Sequence, residues 1–292
     1  MFSVNLPAMR NLHYFVLLAF ALAGCTTAPH EYANLAPPRA AAIEPLLAAK
    51  PVVALVLGAG GSRGFAHVGV IKALEAAGIR ADIVVGSSSG SVVAALYAGG
   101  NDARALEAMA LGVLDSDLID FTFFGPGRVQ GDALQDYVNR ALDNRSIEAL
   151  GRPFAVVATE RATNAMTIFN RGNTGLAVRA SSSIPNVFWP VLIEGREYVD
   201  GGLTSRVPVT VARRMGADVV IAVDVSWRGS SEADDADVAI RPDTPRTRSL
   251  DFSAKVEAIA AGEAAANTAV AAIRERIAAA ATLKHGALAD AH

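Results

Sequence analysis

The chain has 292 residues, of which 52% are hydrophobic and 25 are glycine, enough to bury one sizeable α/β core. Its formal net charge is −3, and removing the first 24 residues, whose only charge is Arg10, takes it to −4. Nucleic acid, which calls for a basic face, is therefore excluded as a partner, and the single cysteine, Cys25, excludes an internal disulfide.

At the N-terminus, Arg10 precedes the apolar stretch Phe15 to Ala23, which is too short to span a bilayer and ends in small residues, the pattern of a secretory signal. The stretch closes in Leu22-Ala23-Gly24-Cys25, which resembles the bacterial lipobox; the alternative for Cys25 is a lone buried thiol. The resemblance implies cleavage before Cys25, lipidation of its thiol and amine, and tethering to a membrane leaflet, several acyl chains anchoring durably where one is marginal. Thr26, in place of an aspartate, follows the cysteine, which by analogy with Gram-negative lipoproteins implies the periplasmic face of the outer membrane. Residues 1–24 are thus expected to be a signal peptide. Residues 25–50, with Pro29, Pro37, Pro38, Pro45 and many alanines, are expected to form a lipidated tether.

A folded domain is expected over 51–285, with a short tail at 286–292. It opens with a strand at 52–57 and the loop Gly58-Ala59-Gly60-Gly61-Ser62-Arg63-Gly64, then a helix at 65–77, a strand at 83–86 and helices at 90–99, 102–114 and 132–142. Strands at 154–159 and 166–169, a short helix at 174–180, strands at 191–194 and 196–199, a helix at 207–215 and a strand at 218–225 follow. Residues 238–240 offer an edge strand and 252–281 an alanine-rich helical region. Strands alternating with helices imply an α/β fold with a mainly parallel sheet covered on both faces. The cluster Phe121-Thr122-Phe123-Phe124-Gly125-Pro126-Gly127 reads either as a flap over an acyl-chain pocket or as core aromatics.

Gly86-Ser87-Ser88-Ser89-Gly90 is a G-x-S-x-G pentapeptide lying between the apolar run Ile83-Val84-Val85 and a helical stretch. That placement suits a nucleophile elbow with Ser88 at the apex, although a plain glycine-serine loop has the same composition. A serine needs a base and donors for the developing oxyanion. Among the five histidines only His67 falls within the domain, and it shares a helix stripe with Val70, Ile71 and Leu74, which favours a core-facing role over a catalytic one. Asp200 ends the strand-like Glu197-Tyr198-Val199 and precedes Gly201-Gly202, so it is either a base held against the serine or a turn aspartate. The backbone N–H groups of the first glycine loop, at a helix start, suit an anion. A dinucleotide site there would want an acidic residue at the end of the next strand, where this chain has the serine elbow.

Three segments in fixed order, Gly58 to Gly64, Gly86 to Gly90 and Asp200-Gly201-Gly202, together resemble the patatin-like phospholipase family. Arg179-Ala180-Ser181-Ser182-Ser183-Ile184-Pro185 and Val207-Pro208 through Met215-Gly216-Ala217-Asp218 agree, and the resemblance covers roughly residues 51 to 265. It implies a three-layer patatin-like fold and a serine lipid acyl hydrolase of phospholipase A or lysophospholipase type, working through a Ser-Asp dyad and an acyl-enzyme. Ser88 would be the nucleophile, Asp200 the base, and the amides of Gly60 and Gly61 the oxyanion hole, with no metal and no cofactor. Ala59 stands where glycine is common in the family, a departure of little weight if only the next two amides donate. Arg63 matches a basic position of the family loop, where it either meets a lipid phosphate or forms a structural ion pair. The rival readings are a carboxylesterase or thioesterase on soluble esters, and a catalytically idle lipid-binding lipoprotein.

Overall fold

The computed structural model describes residues 35–123 and 125–289; Cys25 and the expected signal peptide lie outside them. Strand β1 (Val53–Leu57) leads through a 3-10 turn at Gly61–Phe65 into α1 (Ala66–Ala76), and β2 (Ile83–Ser87) leads into α2 (Ser89–Ala98). Then come α3 (Ala103–Gly112), the single turn α4 (Asp115–Leu118), α5 (Asp132–Ala141), β3 (Phe154–Glu160), β4 (Ala165–Phe169) and α6 (Thr174–Ser181). The hairpin β5 (Val191–Ile193) and β6 (Arg196–Val199) precedes α7 (Val209–Arg214), β7 (Val219–Val223), β8 (Val238–Ile240) and the long α8 (Lys255–Ala289). The helix expected at 65–77 is preceded by that 3-10 turn, which the chain enters through Gly61 at a φ of 60°, a conformation that glycine adopts without strain.

By hydrogen bonding the strands run β5-β6-β3-β2-β1-β7-β8, with β4 also paired to β3. The five from β3 to β8 are parallel and β4, β5 and β6 are antiparallel. The central strands are apolar at nearly every position because both faces of the sheet are covered. Val53, Leu55 and Leu57 of β1 join the core beneath α1, α2 and α8, whereas Ala54 and Val56 join the core beneath α7.

One detail of register positions the site. Val156 and Val157 of β3 pair with β2 and also with β4, so those two strands lie on opposite edges of β3. Thr159 and Glu160 pair with β4 and also with β6, so β6 lies on the same edge as β2. Strand β2 stops with Ser87 opposite Val157, and the antiparallel β6 arrives with Val199 opposite Thr159. The two strands therefore meet tip to tip, and the residues that follow them, Ser88 and Asp200, face each other across the gap.

The tether expected over 25–50 is corrected for residues 35–50, which lie along the domain. Arg39 pairs with Arg171, the Asn170 amide both donates to and accepts from the Ala41 backbone, and Ile43, Leu46 and Ala48 pack onto the core beneath α7. Pro37, Pro38 and Pro45, which suggested a spacer, instead stiffen an extended segment that hydrogen-bonds sideways. At the other end, α8 runs through the expected boundary at 285, and Lys284 ties it to Asp218 and to the carbonyl oxygens of Ala48 and Lys50. It is long and apolar enough to cross a membrane by composition, but Ile259, Ala266 and Ile273, seven residues apart, are buried against the domain.

Helices α1 and α8 cross almost backbone to backbone. A Cβ at Gly69 would stand 1.9 Å from Ile259 O, and one at Gly262 would stand 1.9 Å from Ala66 O. Gly69→Val is expected to lower stability by roughly 1–3 kcal/mol, the range for overpacking. Gly286→Ala, in the same helix but with open space around it, should be neutral or slightly stabilising. Melting temperatures of the two variants check the crossing.

Candidate active site

Ser88 sits where β2 turns into α2, with φ 51° and ψ −130°, a positive-φ conformation that costs an ordinary residue on the order of 1–3 kcal/mol. The surrounding packing holds it there. The Ser88 N–H donates to Ser181 Oγ at 2.8 Å, and its carbonyl accepts from Ser91 Oγ at 2.6 Å. The two glycines of the pentapeptide have steric reasons. A Cβ at Gly86 would lie 2.4 Å from Ser91 Cα, and one at Gly90 would lie 2.2 Å from Leu57 O. The elbow thus needs an absent side chain on each flank of the serine. Ser87 and Ser89 point elsewhere, Ser87 Oγ donating to Ser205 O at 2.8 Å and Ser89 Oγ accepting from Gly60 N–H at 3.2 Å.

Asp200 follows β6 and is 7% exposed, and Ser88 is 4% exposed, so their contact is sheltered from bulk water. Ser88 Oγ donates to Asp200 Oδ2 at 2.6 Å. The other carboxylate oxygen accepts from Gly202 N–H at 2.7 Å. The Asp200 backbone is fixed as well, its N–H donating to Ser183 O and its carbonyl accepting from Thr159 Oγ1. Burial pushes the Asp200 carboxyl up to about 6, against the opposing pull of the Ser88 hydroxyl, the Gly202 amide and the more distant Arg206.

His67 is fully buried beneath the first glycine loop, its Nε2 2.9 Å from Gly58 O, and burial pushes its pKa down to about 4. It is neutral at physiological pH and buttresses the loop; its hydrogen bond goes to that loop and not to Ser88 or Asp200. The loop itself is clamped from above, since Ser62 N–H donates to Ser249 O and Ser62 Oγ contacts Thr247 Oγ1 and Arg248 O. Gly60 N–H already bonds an oxygen of the elbow, Ser89 Oγ, so this amide is aimed at the residue beside Ser88. Gly61, the next in the loop, lines the same cavity as Ser88.

Arg63 makes no ion pair with a carboxylate among the described residues. Its Nε donates to Val225 O at 2.7 Å, and its guanidinium lies 5.8 Å from the Trp227 ring, which Arg246 also covers at 4.9 Å. The structural ion pair offered for Arg63 is therefore replaced by a backbone bond and a cation–π contact.

A cavity of about 120 Å³ opens beside Ser88, walled by apolar side chains that include Val92, Leu96, Leu106, Leu134 and Phe188. Of the aromatic cluster weighed as flap or core, Phe121 and Phe123 are exposed, 74% and 98%, so neither is core. The serine triplet 181–183 is the part of the site that sequence reasoning left without roles. Ser181 holds the elbow, Ser183 holds the strand end at Asp200, and the Ser182 hydroxyl is buried at the cavity wall with no hydrogen-bond partner among the described residues. The signal available was three hydroxyls at a helix end amid apolar residues, a pattern that points inward without saying to what.

Residues 55–213 match the family model described as patatin-like phospholipase. The chain belongs to the patatin-like phospholipase family. It is 37% identical over 188 residues to patatin-like phospholipase domain-containing protein 6 of Mus musculus, a match covering 62% of this chain and 14% of that protein. It is 35% identical over 202 residues to an uncharacterized NTE family protein of Mycobacterium tuberculosis, covering 68% of this chain and 56% of the relative. The chain thus spans about a seventh of the mouse protein and a little over half of the mycobacterial one. Among solved structures, VipD from Legionella pneumophila superposes with a TM-score of 0.57 over 87% of this chain and 73% of its own, at 12% identity, which shows a shared fold. Family membership is consistent with lipid acyl hydrolase chemistry.

Proposed function

We propose that this protein is a serine lipid acyl hydrolase acting on phospholipid or lysophospholipid, with Ser88 as nucleophile and Asp200 as base. The observation that carries the reading is the 2.6 Å hydrogen bond from Ser88 Oγ to a buried carboxylate, beside an apolar cavity. Ser88 Oγ attacks the ester carbonyl carbon while its proton passes to Asp200 Oδ2. The carbonyl electron pair becomes an oxyanion facing the amides of Gly60 and Gly61, where its full charge outcompetes the neutral Ser89 hydroxyl for Gly60 N–H. Collapse expels the alcohol, which takes the proton from Asp200, and the acyl group stays on Ser88. Water, deprotonated by Asp200, then attacks the acyl carbon, and as the Ser88 Oγ–acyl bond breaks the proton on Asp200 returns to Ser88 Oγ and the fatty acid is released.

The altered environment of Asp200 suits this work. A carboxyl pushed up to about 6 is still ionised at neutral pH yet more basic than an ordinary aspartate. The acyl chain would fill the apolar cavity, and the Arg63 and Arg246 guanidinium groups, both over Trp227, form no close ion pair among the described residues, Asp224 attracting Arg63 only from a distance, and offer charge for a lipid phosphate. Cys25, cleaved and lipidated, would hold the enzyme on a membrane leaflet, at the periplasmic face of the outer membrane in a Gram-negative host.

Ser88→Ala is expected to remove at least about 10³-fold of turnover and all fluorophosphonate labelling, with Ser87→Ala and Ser89→Ala still labelled. Asp200→Asn should lower turnover by at least about 10²-fold. Since the base works ionised, kcat/KM should rise with pH through about 6 and level off above it. Labelling that moved to Ser182, or a pH profile with no change near 6, would remove the dyad. For the anchor, mass spectrometry of the mature N-terminus should find a lipid-modified Cys25, and Cys25→Ser should leave the protein unprocessed or soluble; an unmodified Cys25 would overturn that part alone.

A further inference from the structure

We infer that the outer face of the cavity wall is a docking surface for a zwitterionic phospholipid bilayer, with Phe121 and Phe123 as its inserting tip; the choice of occupant rests on the cavity's being an acyl-chain site. Three segments build this wall: the end of α3 with α4, the hairpin 119–129, and the stretch 249–256. Inward, Met109, Val113, Ile119 and Phe252 line the cavity. Outward, the same segments carry Leu111, Leu114, Phe121, Phe123 and Val256, exposed by 45% to 98%. The segments are joined to each other. Lys255 Nζ donates to the carbonyl oxygens of Leu111 and Val113, and Leu250 and Phe252 pack against the buried trio Ile119, Val129 and Phe188. The hairpin base is thus part of the cavity wall, tied by the Phe121 to Val129 bridge and by Thr122 N–H to Arg128 O, while the side chains of Phe121 and Phe123 stand clear.

Contiguous apolar side chains at this exposure mark a contact surface. The cavity decides which. An acyl chain that moves from a bilayer into the cavity avoids crossing water only if the wall around the cavity touches the bilayer, so a lipid phase is the occupant that this continuity favours over a protein. Charge narrows it further. The three segments and the residue after them carry Asp115, Asp117, Asp120, Asp251 and Glu257 against Arg128 and Lys255, and the Lys255 ammonium is turned onto the carbonyl oxygens of Leu111 and Val113; this net negative charge disfavours an anionic surface and leaves apolar insertion as the driving force on zwitterionic lipid.

The test uses the full chain. Phe123→Trp is mixed with phosphatidylcholine vesicles, with and without brominated acyl chains, and its emission is compared with that of the parent protein, whose own tryptophans are Trp189 and Trp227. The added emission should shift to shorter wavelength on vesicles and be quenched by the bromine, with no gain when phosphatidylglycerol is mixed in. In parallel, Phe123→Ser combined with Leu114→Ser should lower kcat/KM on phosphatidylcholine vesicles by at least about tenfold while leaving hydrolysis of a dispersed short-chain ester unchanged. Leu192→Ser, an exposed apolar residue on edge strand β5, should change neither. Emission from position 123 that stays water-like and unquenched, equal loss on both substrates, binding that depends on anionic lipid, or a concentration-dependent dimer burying position 123 would each overturn the inference. Quenched emission from the Phe123→Trp variant of a protein that hydrolyses no ester would keep the docking surface and remove the hydrolase.

Discussion

The structure turns on the way β2 and β6 share one edge of β3. A parallel strand and an antiparallel strand can occupy the same edge only end to end, and the gap between their tips is where Ser88 and Asp200 meet. Gly201 lets the second strand come this close, since a Cβ there would stand 2.1 Å from Val157 O. The serine and the carboxylate are brought together by backbone register, with the side chains contributing only the last hydrogen bond. This is a stiffer arrangement than two loops could give, and it explains how two residues 112 positions apart hold a 2.6 Å contact.

Such a site is costly to build. A serine at positive φ and a carboxylate withdrawn from water both oppose folding, and each persists because the surroundings fix it on several sides. Ser181, Ser91, Thr159 and Ser183 supply that fixing by hydrogen bonds to backbone atoms of Ser88 and Asp200, and His67 does the same for the glycine loop. The apolar cores on the two faces of the sheet supply the rest.

Most of the architecture was legible because it follows from local pattern. Apolar runs bounded by glycine marked the central strands, and the strand-elbow-helix context separated Ser88 from its two serine neighbours. The position of His67 on an apolar helix stripe anticipated its burial. What was not legible depends on contacts between distant segments. Prolines in 35–50 look the same in a free spacer and in a segment laid against a sheet, and long-range contacts such as those with Asn170, Arg171 and the core beneath α7 separate the two. The exposure of Phe121 and Phe123 depends on which hairpin face meets Phe188, which composition does not encode. The Ser181 hydroxyl and the Ser183 carbonyl carried no sign of their partners, because those lie at the distant ends of β2 and β6.

The most direct test of the account is the protonation state of Asp200 itself, followed by infrared difference spectroscopy or carboxyl-carbon NMR of isotope-labelled aspartate, with Asp200→Asn to assign the signal. The midpoint should lie near 6, and Ser88→Ala, by removing a hydrogen bond that favours the ionised form, should move it higher. A midpoint in the ordinary aspartate range of about 4, or one that Ser88→Ala leaves unmoved, would contradict the buried hydrogen-bonded pair on which the account rests.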